Sequence, residues 1–276
     1  MSKAARSYEE LLKMIESKMS GITHKIMIVS GKGGVGKSSV AASLALATAV
    51  KGKKVGLLDA DIHGPSIPKI LGLEKSKLLI SPLGIAPVLG PLNLKVVSTQ
   101  FMLPEEDAPI IWRGPLKGRL IAEFLANVNW GALDYLYIDL PPGTGDEPLS
   151  IAQYIKSMSG AVIITIPSDL SRLVVKKAIK FCQKLNVPIL GIIENMNGFT
   201  CPKCGTTYNI FGEGAGRRIA LEMNIPYLGS IPIDPRISEC NDKGELFLLK
   251  YENAPAAKII LQIADEIMKK LERKQN

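Results

Sequence analysis

Six short runs of Val, Ile and Leu, set between helix-like stretches, constrain this chain more than any other feature. They are Lys25-Ile26-Met27-Ile28-Val29-Ser30, Val55 to Asp59, Tyr135 to Asp139, Ala161 to Thr165, Pro188 to Ile193 and Pro226 to Gly229. Strands apolar on both faces and separated by helices belong to a parallel sheet covered on both sides. The expected fold is therefore α/β, a doubly wound, mostly parallel sheet with helices on both faces. Ligands of such sheets bind beyond the carboxyl ends of the strands, so the residues after each strand carry the functional reading. Leu78 to Val97 holds Pro82, Pro87 and Pro91 and reads as an excursion or small hairpin rather than a core unit. Residues 1–23 read as one amphipathic helix, with Leu11, Leu12, Ile15 and Met19 at helical spacing, packed on a single domain over 24–276.

The chain has 276 residues, of which 46% are hydrophobic and 22% charged, which excludes disorder of the whole. Four cysteines in that length exclude a disulfide scaffold. The mixed-charge start is not a secretory signal, and no stretch approaches the ~20 apolar residues of a membrane span. The expectation is a cytoplasmic protein. A net charge of +8 raises affinity for any acidic partner without choosing one.

After the first strand comes Gly31-Lys32-Gly33-Gly34-Val35-Gly36-Lys37-Ser38-Ser39. It fits G-x-x-x-x-G-K-[ST] between a strand and the helix predicted over Lys37 to Lys51. Glycines let backbone N–H groups converge on phosphate oxygens, and the helix start adds its positive dipole end. Lys37 is placed to reach the β- and γ-phosphates and Ser38 to take Mg²⁺. The third strand ends in Asp139, which fits a Walker B carboxylate at Mg²⁺, and Gly143-Thr144-Gly145 beyond it is a switch candidate. No N-K-x-D guanine signature occurs, which favours ATP over GTP.

The stretch Lys32 to Ser38 resembles the deviant Walker A of the MinD/ParA/Mrp class of ATPases. That resemblance implies that Lys32 crosses a dimer interface to the partner's nucleotide. Asp59-Ala60-Asp61, closing the second strand, looks like switch I of the class. The resemblance implies that Asp59 supports the Mg²⁺ shell and Asp61 orients the attacking water; alternation along a strand puts both on one side. His63 reads as a turn residue. Asn195, after the fifth strand, resembles the class residue that reads the adenine edge, a role an amide suits because it both donates and accepts.

Six residues later, Cys201-Pro202-Lys203-Cys204-Gly205 makes a tight knuckle that aims two sulfurs at one point. Zn²⁺ or an iron–sulfur cluster takes four ligands, whereas Cys182 reads as a buried hydrophobe and Cys240 as structural. A two-fold dimer would bring two knuckles together. The stretch Asn195 to Cys204 is similar to the ENM-x-x-F-x-C-P-x-C pattern of the Mrp/ApbC family. Trp112-Arg113-Gly114-Pro115 and Asp139 to Asp146 match that pattern too. The resemblance implies an ATPase that carries a labile [4Fe–4S] cluster across a homodimer and delivers it to apo iron–sulfur client proteins. The chain carries neither the extra N-terminal domain of many bacterial members nor the N-terminal four-cysteine motif of eukaryotic cytosolic relatives. Zn²⁺ at the same cysteines remains an alternative.

Two other functions stay open at this point. A MinD/ParA-like positioning ATPase would use the basic helix with Arg172, Lys176, Lys177, Lys180 and Lys184, or the C-terminal stripe Ile259, Ile263, Ile267 and Leu271. The plainer reading of that stripe is the closing helix of the fold, with no stable membrane contact and nucleic acid not the partner. A zinc-knuckled regulatory ATPase is the third possibility, separated from the first only by metal content.

Overall fold

The computed structural model describes residues 8–103 and 114–273; Trp112 and Arg113 of the family-like stretch lie outside them. The strands are β1 (Ile22–Ser30), β2 (Val55–Asp59), β3 (Leu79–Ser81), β4 (Gly84–Ala86), β5 (Val88–Leu89), β6 (Lys95–Ser98), β7 (Leu133–Asp139), β8 (Gly160–Thr165), β9 (Ile189–Glu194), β10 (Phe199–Thr200), β11 (Thr207–Tyr208) and β12 (Tyr227–Ser230). The helices are α1 (Tyr8–Ser20), α2 (Lys37–Val50), α3 (Ile67–Ile70), α4 (Gly114–Asn127), α5 (Asp146–Tyr154), α6 (Arg172–Lys184), α7 (Ala215–Glu222), α8 (Pro235–Lys243), α9 (Phe247–Lys250) and α10 (Pro255–Glu272).

One sheet of eight strands runs in the order β12-β9-β8-β1-β7-β2-β6-β5. All its pairings are parallel except β5 with β6. Every residue of β2 and β8 is buried, so helices cover both faces, as the continuous apolar runs predicted. β1 lies between β8 and β7, and Asp59 stands opposite Asp139 in the register of β2 and β7. Three carboxyl strand ends are thus brought to one place.

The segment from Leu78 to Val97 departs from its reading. Its first part is a hairpin, β3 with β4, as expected. Its last part is a core strand, because β6 pairs in parallel with β2 and buries Val96 and Val97 completely. Prolines before a strand do not disqualify it when none falls inside.

At the N-terminal end the helix stops at Ser20 and β1 begins at Ile22, inside the stretch read as helix. α1 packs on α4, with Ile15 and Met19 buried. The Lys25 ammonium, folded under its end, donates to the carbonyls of Met19 and Ile22 at 3.2 and 2.9 Å. It satisfies carbonyls that a helix terminus leaves without partners. Across the core, a hydrogen bond of 2.8 Å between Thr48 and Tyr137 joins α2 to β7.

α10 closes the fold against α2 and β12. Ile260, Ile263, Ile267 and Leu271 are buried there, each worth about 1.5–3 kcal/mol. Ile259 of the predicted stripe sits at the margin instead. No helix among the described residues is long and apolar enough to cross a membrane.

Candidate nucleotide and metal site

The loop after β1 and the start of α2 line a cavity of about 290 Å³ together with Asp61, Ser66, Ile70 and Pro142. Lys32, Gly33, Gly34, Val35, Gly36, Lys37, Ser38 and Ser39 all border it. Gly31 sits just behind, so close to the Val174 backbone of α6 that a Cβ would overlap it. Gly36 caps α2 in the left-handed region, φ 75°. That conformation suits glycine, and a Cβ there would run into the Asn195 amide.

Lys37 is buried and forms an ion pair with Asp139 Oδ1. The second Asp139 oxygen is buried with no hydrogen-bond partner among the described residues. Asp59 is sealed beside it, accepting from Ser98 Oγ at 3.0 Å and from the Ile67 and Asp61 N–H groups at 3.3 Å. Burial, and then the charge of Asp139, raise the Asp59 carboxyl well above the usual carboxylate range. Burial raises Asp139 as well, with the Lys37 charge pulling it back down. One ammonium does not keep two buried carboxyls ionised, so the pair has room for a further cation, and an orphaned oxygen points the same way. With the Ser38 hydroxyl, these hard oxygen donors fit Mg²⁺.

Asp59 and Asp61 lie in different surroundings, the first buried and the second half-buried. Alternation holds only within the strand, and β2 ends at Asp59. The Ala60 N–H still makes the last ladder bond, to the Asp139 carbonyl at 2.9 Å, and Asp61, beyond it, reaches the cavity wall. There Asp61 Oδ1 accepts from the Gly64 N–H at 3.2 Å. His63 lies exposed in the bend that follows. On the other side, the Gly143 N–H is bound to the Ser30 carbonyl at 2.9 Å, so the switch candidate rests on the loop's first strand.

A second cavity, about 280 Å³, adjoins the first through shared walls at Gly36 and Ser39. Asn195 borders it, with Nδ2 donating to the Val35 carbonyl at 2.9 Å. Its apolar walls are Met196, Phe211, Ile231, Pro232, Ile233 and Ile260. Asn241 reaches from α8 to the Ser39 hydroxyl at 2.9 Å. Sequence reasoning flagged Asn195 and, in the same family-like stretch, Met196, but none of the others. Phe211, Ile231, Pro232 and Ile233 come from loops without a motif, and Asn241 and Ile260 from α8 and α10; only the place of those loops beyond the strands could have flagged them. Phosphate-binding loop, carboxylates and apolar pocket together form one continuous trough of a shape and chemistry suited to a nucleotide.

The cysteine knuckle is the turn of a two-stranded hairpin, β10 with β11. The Cys201 N–H binds the Thr206 carbonyl and the Gly205 N–H the Cys201 carbonyl, both at 2.9 Å. Cys204 is exposed and Cys201 half-buried. The Thr206 hydroxyl beside Cys204 holds its thiol below the usual range. Cys182 and Cys240 are buried in α6 and α8, away from this tip. Among the described residues no three or more His, Cys, Asp or Glu side chains gather as metal ligands, so the knuckle presents two sulfurs alone.

The basic helix is partly neutralised across space. Arg172 and Lys176 of α6 both pair with Glu222 of α7, which the stretch from Asp169 to Glu194 could not reveal. Lys177, Lys180 and Lys184 remain exposed.

Comparison with known proteins extends the local motifs. Residues 21–268 match the ParA family model described as NUBPL iron-transfer P-loop NTPase. The iron-sulfur cluster carrier protein of Saccharolobus solfataricus is 52% identical over 261 residues, covering 95% of this chain and 88% of that protein. The Methanocaldococcus jannaschii protein of the same description is 48% identical, covering 95% and 89%. Among solved structures, an Archaeoglobus fulgidus nucleotide-binding protein in complex with ADP, with cobalt found in it, is 46% identical. It superposes with a TM-score of 0.75, covering 84% of this chain and 91% of that one. The likeness carried by the motifs runs along nearly the whole chain, which belongs to the Mrp/ApbC family of iron-transfer P-loop NTPases.

Proposed function

We propose that this chain binds ATP with Mg²⁺, hydrolyses it slowly, and carries a [4Fe–4S] cluster as a homodimer in the cytoplasm, for delivery to apoproteins. The observation that carries the proposal is a surface knuckle with two thiols and no further ligand at hand among the described residues. A cluster that takes four thiolates then draws two from each of two copies. The carrier relatives support iron–sulfur cargo, and the packing of α10 into the body argues against a membrane-surface role.

The Val35 carbonyl holds Asn195 Nδ2, which sets the direction of the amide. Oδ1 is then the group left to accept from a base. The exocyclic amino group of adenine donates there, whereas the guanine carbonyl would meet oxygen with oxygen. At the other end of the trough, Lys37 exchanges Asp139 for the β- and γ-phosphates. Ser38 and Asp139, with Asp59 behind them, would hold Mg²⁺, which supplies charge neutralisation at the phosphates. Asp61 uses its free oxygen to orient the attacking water. Lys32 serves the nucleotide of the second copy, adding positive charge where the transition state gains negative charge.

Anaerobic reconstitution with iron and sulfide tests the proposal. About four iron and four sulfide per two chains, with transfer to an apo-ferredoxin acceptor, is the expected result. A second reading is a lone divalent metal such as Zn²⁺ at the same two thiols, one exposed and one half-buried. Metal bound without sulfide, and no transfer, would select it.

A further inference from the structure

Phe211 lies three residues beyond β11 and forms a wall of the second cavity. It sits on a short turn in which the Gly212 N–H binds the Asn209 carbonyl at 3.1 Å and Asn209 Nδ2 binds Glu213 at 3.2 Å. Gly212, at φ 98°, presses on the Pro167 carbonyl, where no Cβ would fit. The turn is thus braced on the end of the sheet, yet the Phe211 ring remains 44% exposed. A large apolar ring left this open on a braced turn, facing a pocket of small-ligand size, is placed to be covered by a flat ligand.

The other flank of the knuckle meets the same cavity. Asn195 and Met196 lie before β10, and Met196 adopts φ 58°, a conformation costly for a side chain of its kind. Ile233, another wall residue, bridges to Phe199 of β10 and donates its N–H to the Gly198 carbonyl at 2.8 Å. The hairpin that carries Cys201 and Cys204 therefore springs at both ends from the walls of the second cavity.

We infer that Phe211 stacks on the adenine of the bound nucleotide and is the residue through which the knuckle senses the base. This rests on the nucleotide reading above and adds a contact and a direction to it. The base closes Phe211 against Met196 and Ile233, both ends of the hairpin are held, and the two thiols become less accessible. Phosphate alone fills the first cavity and leaves the hairpin as it was.

The test uses the apo chain at low concentration with ADP, so that neither cluster nor ATP-driven pairing is needed. Alkylation of Cys201 and Cys204 by iodoacetamide is followed by mass spectrometry, with the buried Cys182 and Cys240 as internal references. Saturating ADP should slow alkylation of the wild type about fivefold, and inorganic pyrophosphate should not. Phe211→Ala should weaken ADP binding about 10-fold, the usual cost of losing a base–aromatic stack, and at saturating ADP should show no protection. Phe211→Trp should keep both effects. Equal protection in Phe211→Ala and the wild type, or an unchanged ADP affinity, overturns the inference while the nucleotide reading stands. Protection by pyrophosphate equal to that by ADP also overturns it, since the base would then be irrelevant. No ADP binding by the wild type overturns the nucleotide reading and this inference with it.

Discussion

The phosphate-binding loop and the cysteine knuckle are both tight turns of small residues, and they are built in opposite ways. The loop leaves the central strand of an eight-stranded sheet and enters a 14-residue helix whose inner face is buried. Lys37 is paired, Gly31 and Gly36 are wedged against α6 and Asn195, and the carboxylates come from two neighbouring strands. The knuckle hangs from a pair of two-residue strands, with Cys204 open to solvent and a threonine hydroxyl as its neighbour. A site braced by the core is assembled within one chain. One with so few internal contacts presents two sulfurs with little to hold them in one arrangement. The first is pre-organised for phosphate, whereas under the proposed function the second would yield its cargo because little holds it in place.

Removing the sulfurs should break this comparison most visibly. Cys201→Ser and Cys204→Ser should each abolish cluster loading, measured as sulfide-dependent colour and iron content. ADP affinity by calorimetry should stay within about twofold, because the hairpin contributes nothing to the loop. A nucleotide affinity that fell with the cysteines would show that the two regions are one site. Lys37→Ala makes the reverse cut. It should weaken ADP binding about 100-fold or more, since it removes a charge-assisted phosphate contact, and leave cysteine alkylation in the absence of nucleotide unchanged.

A smaller effect is expected where the two regions touch. Gly36→Ala forces a Cβ into the left-handed turn and against the Asn195 amide. It should cost about 10-fold in ADP affinity and narrow the preference for adenine over guanine nucleotides, read by competition binding. Equal losses for both bases would place the damage in the phosphate loop alone. The smallest effect sharpens the contrast by probing the rigid side far from either site. His24 is buried on β1 beside Tyr135, and burial lowers its pKa from 6.5. The unfolded chain therefore binds the proton first, so stability present above pH 6.5 falls as pH drops through the lowered value. The difference in melting temperature between wild type and His24→Gln is expected to be flat down to pH 6.5 and to change below it, as the wild type loses the His24 contribution. His24→Gln should remove part of that decline without touching nucleotide affinity.

Much of the first region could be read from the chain, because its chemistry is local. A strand, a glycine-rich loop and a helix follow one another from Ile22 to Val50, and covalent order alone brings Gly31 to Ser39 round a phosphate. The carboxylates were legible as strand ends, but their environment was not. Asp59 and Asp61 stand two residues apart and differ because one ends β2, sealed between strands, while the other lies past the strand at the cavity wall. β6 escaped notice because four residues after a proline-rich run carry too little pattern, and only its place beside β2 marks it as core.

What the sequence by itself determined about this protein is the parallel α/β class, the phosphate loop, the family and the pair of cysteines, since each is written in consecutive residues. Which residues wall the second cavity was decided by tertiary structure alone. Phe211, Ile233 and Ile260 are far apart in the chain and meet because β9 and β12 lie side by side and α10 closes over them. The partial neutralisation of the basic helix was decided in the same way, by Glu222 arriving from α7. Side chains distant in sequence share a wall only once the sheet has set the order of its strands, and no local spacing encodes that order.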